Sequence, residues 1–258
     1  MCIRLFKRFF YPLCVLLLAG SLSGCIYWIR AYQTYIQMSE FDRYFKTVTT
    51  DEFTLHFKEP ILLSKDFVSL SELYASEDFP TPEGGRRWRY WFRKVDANNK
   101  QISPEINFYS DLTFNKDTKI IAWAFSSLFL QIAPPTFLDA SLRSIGGAEI
   151  DTEKQQLKAN DKLLDKITED LPKKSIVLAK LGEPLSVSDD GELEDYKYQF
   201  LLETHHIEPG YEDRAVSEIH ISFDKKTQTL AKMSGRFAGL KVSINYRKFL
   251  DKPKTEPE

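Results

Sequence analysis

SEIHISFDKKTQTLAKMSGRF, residues 217–237, reads as strand, polar turn, strand. An alternating run closes on Phe223-Asp224, the turn KKTQ follows, and a second apolar stretch opens at Leu230. That is the order of a β-hairpin. SDLTFNKDTKIIAWAFSSLF (110–129) has the same order, with Phe114-Asn115 in place of Phe223-Asp224 and KDTK in place of KKTQ. Ahead of each hairpin stands an aromatic, strand-like stretch, RRWRYWFRK (86–94) and EDYKYQFLLE (194–203). A repeat of this kind has to be sought first, because it sets the architecture.

Further upstream, TTDEFTLHFKEP (49–60) and LPKKSIVLAKLGEP (171–184) each read as a short helix running into Glu-Pro. Phe53 and Phe57 are spaced i, i+4, and Val177, Leu178 and Leu181 form the second apolar side. Pro172 suits a first turn, and Gly182 with Pro184 beyond it suits a helix end. In this pairing LLSKDFVSLSELYASEDFPTPEGG (62–85) is an insertion in the first copy. Between the copies, PPTFLDASLRSIGG (134–147) predicts a helix from Pro135 to the paired glycines. DTEKQQLKANDKLLDKITEDLP (151–172) predicts a surface helix with Leu157, Leu164 and Ile167 as a narrow apolar stripe. The expected fold is α+β: two related units, each with helices packed on one face of an antiparallel sheet. The first unit spans 49–150 and the second 151–250, and the polar, proline-bearing 251–258 reads as a disordered tail.

The chain opens MCIRLFKRFF, with Arg4, Lys7 and Arg8 ahead of an apolar run and no acidic residue. This is the layout of a secretory signal over residues 1–24. Leu13 to Ile29 lies at the short limit for a spanning helix, and Gly20, Ser21, Ser23 and Gly24 weaken it further. Leu22-Ser23-Gly24-Cys25 resembles the lipobox of bacterial lipoproteins. The resemblance implies cleavage before Cys25 and lipid on its sulfur and amine; the alternative is an uncleaved anchor with an incidental cysteine. Ile26 after the cysteine favours the outer membrane, on its periplasmic face, over inner-membrane retention. Residues 25–48 form a membrane-proximal segment with Trp28, Tyr32, Tyr35 and Ile36 at helical spacing. These residues suit either a helix packed on a sheet or one lying at the lipid interface.

Cleavage would remove three of the 35 basic residues and none of the 37 acidic ones, leaving a net charge of −5. An acidic chain is a poor nucleic-acid binder. Cys2, Cys14 and Cys25 are the three cysteines, so a cleaved chain has no disulfide, thiol nucleophile or cysteine metal site. With 43% hydrophobic and 14% aromatic residues there is ample material for a packed core.

The segment SIVLAKLGEPLSVSDDGELEDYKYQFLLE, continuing to EIHISFDKKTQTLAKM, is similar to the SmpA/OmlA (BamE-like) lipoprotein domain. Leu181, Gly182 and Pro184 match its helix end, Tyr196 and Tyr198 its aromatic strand, and Phe223-Asp224 its closing hairpin. The same fold in tandem is that of the beta-lactamase inhibitory protein. The first half departs from the pattern, with Lys58-Glu59-Pro60 in place of Gly-x-Pro. The resemblance implies a non-enzymatic scaffold or protein-binding subunit of the envelope, with another envelope protein as partner. The alternatives are an enzyme inhibitor, which the tandem resemblance implies, and a carrier of lipid or another apolar ligand, which the aromatic content suggests.

Catalytic and metal motifs are weak. His56, His205, His206 and His220 have no ligand spacing, and adjacent His205 and His206 would point to opposite faces of a strand. No Gly-x-Ser-x-Gly elbow is present, Gly146-Gly147 reads as a helix end, and Asp189-Asp190 flank a turn at Gly191. No cofactor is expected. The most unusual stretch remains RRWRYWFRK. As a strand it sets Arg87, Arg89, Trp91 and Arg93 on one face and Trp88, Tyr90 and Phe92 on the other. The first set is the candidate interaction surface, three guanidinium groups and an indole suited to a protein or anionic ligand. The plainer reading is a solvated sheet face whose arginines lie across neighbouring carboxylates.

Overall fold

The computed structural model describes residues 26–132, 134–151, 156–158, 166–237 and 240–250. Residues 1–24, expected to be a signal segment, Cys25, and the expected tail 251–258 lie outside them. The described residues begin with α1 (Ile26–Gln37), a 3-10 turn (Met38–Glu40) and the single-turn α2 (Phe41–Tyr44). Strands β1 (Phe45–Thr49) and β2 (Phe53–Phe57) follow, then α3 (Ser64–Ser71) and β3 (Glu77–Pro80). Next come β4 (Arg86–Lys94), β5 (Asn107–Phe114) and β6 (Ile120–Phe125), helices α4 (Ser127–Ile132) and α5 (Pro135–Arg143), and the short β7 (Glu149–Asp151) and β8 (Gln156–Lys158). Helix α6 (Lys174–Leu181) leads into β9 (Ser186–Asp190), β10 (Leu193–Glu203), β11 (Val216–Asp224), β12 (Leu230–Phe237) and β13 (Leu240–Asn245).

These strands form one mostly antiparallel sheet, a curled half-barrel of nine strands with few helices, and not two helix-on-sheet units. The order is β1-β2-β6-β5-β4-β10-β11-β12-β13, continued by β8 and β7, with β3 on β4 and β9 on β10. The expected pair of units fails at one seam. Strand β4 pairs antiparallel with β10 through Phe92↔Leu202, Arg93↔Leu201 and Lys94↔Phe200. Unpaired, those edges would leave rows of backbone N–H and C=O groups without partners. Pairing them fuses two sheets and gives one core, in which Phe92 and Phe108 pack with Phe200 and Ile221.

Two helices expected from sequence are strands. FTLHF is β2, with Phe53, Leu55 and Phe57 buried and His56 exposed, so its period is two rather than 3.6. Gln156–Lys158 is β8, antiparallel to β7 and joined to the edge of β13 at Lys241↔Gln156. The stripe expected over 151–172 therefore does not run as one helix, and 152–155 and 159–165 lie outside the described residues. Its single apolar row offers a helix little to bury, whereas the β13 edge offers backbone partners.

Within the single sheet, two stretches repeat the same connections. Ser64 N donates to Thr118 O and Ile120 N to Leu62 O, both at 2.9 Å. Lys174 N donates to Gln228 O and Leu230 N to Pro172 O, both at 2.8 Å. The two hairpins shift register at the same place, between Thr113 and Phe114 and between Ser222 and Phe223. The side chains Asn115 and Asp224 both cap backbone N–H groups in the turns that follow. The counterpart of α6 is thus α3, inside the segment read as an insertion, and not the passage at 49–60. Both helices end in a residue of positive φ, Glu72 at 57° and Gly182 at 64°.

Each of those helix ends is closed by a cation from the other repeat. Lys94, only 2% exposed, donates from Nζ to Leu181 O and Glu183 O at 2.5 Å, with Nζ 5.0 Å above the Tyr198 ring. Arg214 donates to Leu70 O at 3.2 Å and Ser71 O at 3.0 Å. Carbonyls left over at a helix C-terminus need such donors, and the helix dipole favours positive charge there. Burial pulls the Lys94 ammonium below the usual lysine range.

Candidate interaction surfaces

The outward side of β4 carries Arg87, Arg89, Trp91 and Arg93, while Tyr90, Phe92 and Lys94 are buried and Trp88 packs on Phe114. Strand β5 lies alongside, with Arg87↔Thr113, Arg89↔Asp111 and Trp91↔Tyr109 in register. Arg89 grips the buried Asp111 with two hydrogen bonds, Nε to Oδ1 at 2.8 Å and an Nη to Oδ2 at 2.7 Å. That fork holds the Arg89 guanidinium above its ordinary range. Its central carbon lies 3.7 Å from the Tyr109 ring centroid and 5.3 Å from that of Trp91. The two rings meet edge to face, 4.9 Å apart.

The surround is acidic. Tyr109 OH donates to Glu52, and the phenol is pushed up to about 12, first by burial and then by that carboxylate. Trp91 Nε1 donates to Glu77 at 3.2 Å, and Arg87 lies 3.8 Å from Asp111 and over the Phe79 ring. Arg93 Nε stands 2.8 Å from Glu203 without the alignment of a hydrogen bond, so the two form an ion pair. The structure therefore brings the four sequence-selected residues onto one face and gives each a carboxylate. Sequence reasoning missed Tyr109, Asp111 and Glu52. The alternation in NFYSDLTF, set against β4, holds the signal for the first two; Glu52, in the β1–β2 loop, has none.

On β10 and β11 a second polar group occupies the same outward side. His220 Nδ1 lies 2.6 Å from Asp195 Oδ2 and Nε2 2.9 Å from Glu218 Oε1, while Ser222 Oγ donates to Asp195 Oδ1 at 2.8 Å. A neutral imidazole can donate to only one of two carboxylates, so the pair favours the imidazolium. Burial opposes this, but the hydrogen bonds to Asp195 and Glu218 win and the His220 pKa is raised. Ser222 bonds the carboxylate and not the imidazole, so the trio lacks the geometry of an activated nucleophile. His205 and His206 lie in the loop after β10, His206 edge-on to Tyr74.

Helix α1 is reversed relative to an ordinary surface helix. Its buried residues are Thr34 and Gln37, whereas Ile26, Trp28, Ile29, Tyr32 and Ile36 are 49–61% exposed. The expected packing of Trp28, Tyr32 and Ile36 on a sheet is not what forms. Among the described residues no helix is long and apolar enough to cross a membrane. Between the sheet and α4 and α6, a cavity of about 10 Å³ is lined by Phe108, Leu181 and Phe200 among others. That is room for one water at most. Comparison of the chain with protein-family models, with curated proteins and with solved structures gives no match.

Proposed function

We propose that this chain is a lipoprotein of the bacterial envelope, anchored through Cys25, whose periplasmic body is a non-enzymatic protein-binding or scaffold subunit. The observation that carries the reading is the fixed arginine–aromatic face: Arg89 is clamped by Asp111 and stacked on Tyr109 and Trp91, between Arg87 and Arg93. Arginine, tryptophan and tyrosine dominate the energetics of protein interfaces. Holding them in place before binding lowers the ordering cost that association must overcome. Paired arginines contribute through their planar stacking surface and remaining N–H donors more than through net charge.

The test is mild crosslinking in intact cells, recovery through a tag, and mass spectrometry. Wild-type chain is compared with Trp91→Ala plus Arg87→Gln, which leaves the buried Arg89–Asp111 pair in place. One dominant envelope protein, lost in the variant, is the expected result. No specific partner for an expressed, membrane-bound chain would sink the reading. Recovery of an envelope enzyme that the purified chain inhibits would replace scaffolding by inhibition.

A further inference from the structure

We infer that the outward face of α1 lies in a lipid surface, so that the helix seats the body on the membrane along its side. This rests on the membrane-anchored reading above, in either form, lipid on Cys25 or an uncleaved apolar segment. The opposite face of the helix is held fast. Arg30 donates to both oxygens of Asp66, which is 1% exposed and also accepts Leu63 N at 2.8 Å. Tyr35 OH donates to Ala148 O at 2.5 Å, and Gln37 Nε2 to Glu59 O at 3.1 Å. After α1, the backbone presses on Gly146, where a Cβ would stand 2.3 Å from Met38 O. Held at Arg30, Tyr35 and Gln37, α1 cannot roll to bury its apolar side.

That side is a single ridge. Trp28, Tyr32 and Ile36 follow at four-residue steps, with Ile29 beside them. Tryptophan and tyrosine favour the headgroup level, where an apolar ring and a polar edge are both satisfied. Either form places a membrane attachment directly before the first described residue, Ile26: lipid on Cys25, or the uncleaved apolar run that opens at Leu13. Charge agrees in either form: no acidic residue precedes Glu40, and the uncleaved form adds Arg4, Lys7 and Arg8, while Arg30 is committed to Asp66. An anionic lipid surface meets no repulsion along this stretch.

The test uses the full chain reconstituted into vesicles of phosphatidylcholine and phosphatidylglycerol, with the phosphatidylcholine brominated near the headgroup end of its acyl chains. Flotation reports attachment, and tryptophan emission reports contact with bromine. The expected result is a floating protein whose emission falls by up to the share of one of its four tryptophans, with that fall abolished in Trp28→Phe. A floating protein with no Trp28-dependent quenching overturns the inference and leaves anchoring intact. Trp28 open to aqueous iodide would then mean solvent, and Trp28 shielded from both quenchers would mean a protein cover, a second copy where the chain runs as a dimer. A chain that does not float sinks the anchoring reading and this inference with it.

Discussion

The outward faces of the two repeats occupy matching places on one sheet and carry opposite chemistry. In the first, strand β4 supplies the cation and β5 the anion, Arg89 on Asp111, with Trp91 and Tyr109 stacked around them. In the second, β10 supplies Asp195 and β11 supplies His220, with Lys197 paired to Glu218 beside them. One face is fixed by a guanidinium that never titrates near neutral pH. The other is held by an imidazole that does. The same backbone thus presents a permanent aromatic–cationic surface at one position and a proton-dependent ladder at the other.

The two repeats grip each other at their helix ends. Lys94→Ala removes a buried donor pair and leaves a void beside Gly182. About 3 kcal/mol of stability should be lost, read by denaturant midpoint. A loss below about 1 kcal/mol would contradict a cap shared across the seam. Asp111→Asn strips Arg89 of its charge partner while keeping the shape, and should cost about 2 kcal/mol, less than a fully buried pair because Arg89 is 19% exposed. Arg214→Met, at the matching helix end, should cost only about 1 kcal/mol, since that site is nearer solvent.

The smallest effect sharpens the contrast between the faces. His220 has a folded pKa above its unfolded value. Its contribution is therefore complete below the unfolded value near 6.5 and is lost as pH rises through the raised folded value. Stability of the wild type should decline across that window, and His220→Gln should flatten the decline. An unchanged slope in the variant would assign the dependence elsewhere.

Local chemistry was legible in the sequence; distant pairing was not. Both hairpins were readable because Asn115 and Asp224 cap their own turns, a signal spanning a few residues. Helix α3 was hidden because SKDFVSLS is rich in serine and buries the polar Asp66 and Ser71. Asp66 is buried for Arg30, 36 residues away, which no window around α3 contains. The seam between β4 and β10 has no local signature either. It joins residues more than a hundred positions apart, and it turned two expected units into one sheet. Of the candidate surface, the four residues of β4 were found by alternation alone, while the partners that fix them lie on β5 and in the β1–β2 loop. Helix α1 was legible as a helix, but not that its aromatic ridge would face outward, because that direction is set by Arg30, Tyr35 and Gln37 reaching their partners.

On the proposed reading, the first repeat's outward face, and not the second's, meets a partner. The most direct measurement installs a photo-crosslinking amino acid in intact cells, as Arg87→p-benzoylphenylalanine in one strain and Asp195→p-benzoylphenylalanine in another. These positions correspond across the two repeats. A discrete adduct with one envelope protein from position 87 and none from position 195 is the predicted result. Equal adducts from both positions, or none from position 87 in a protein that is folded and membrane-bound, would contradict it.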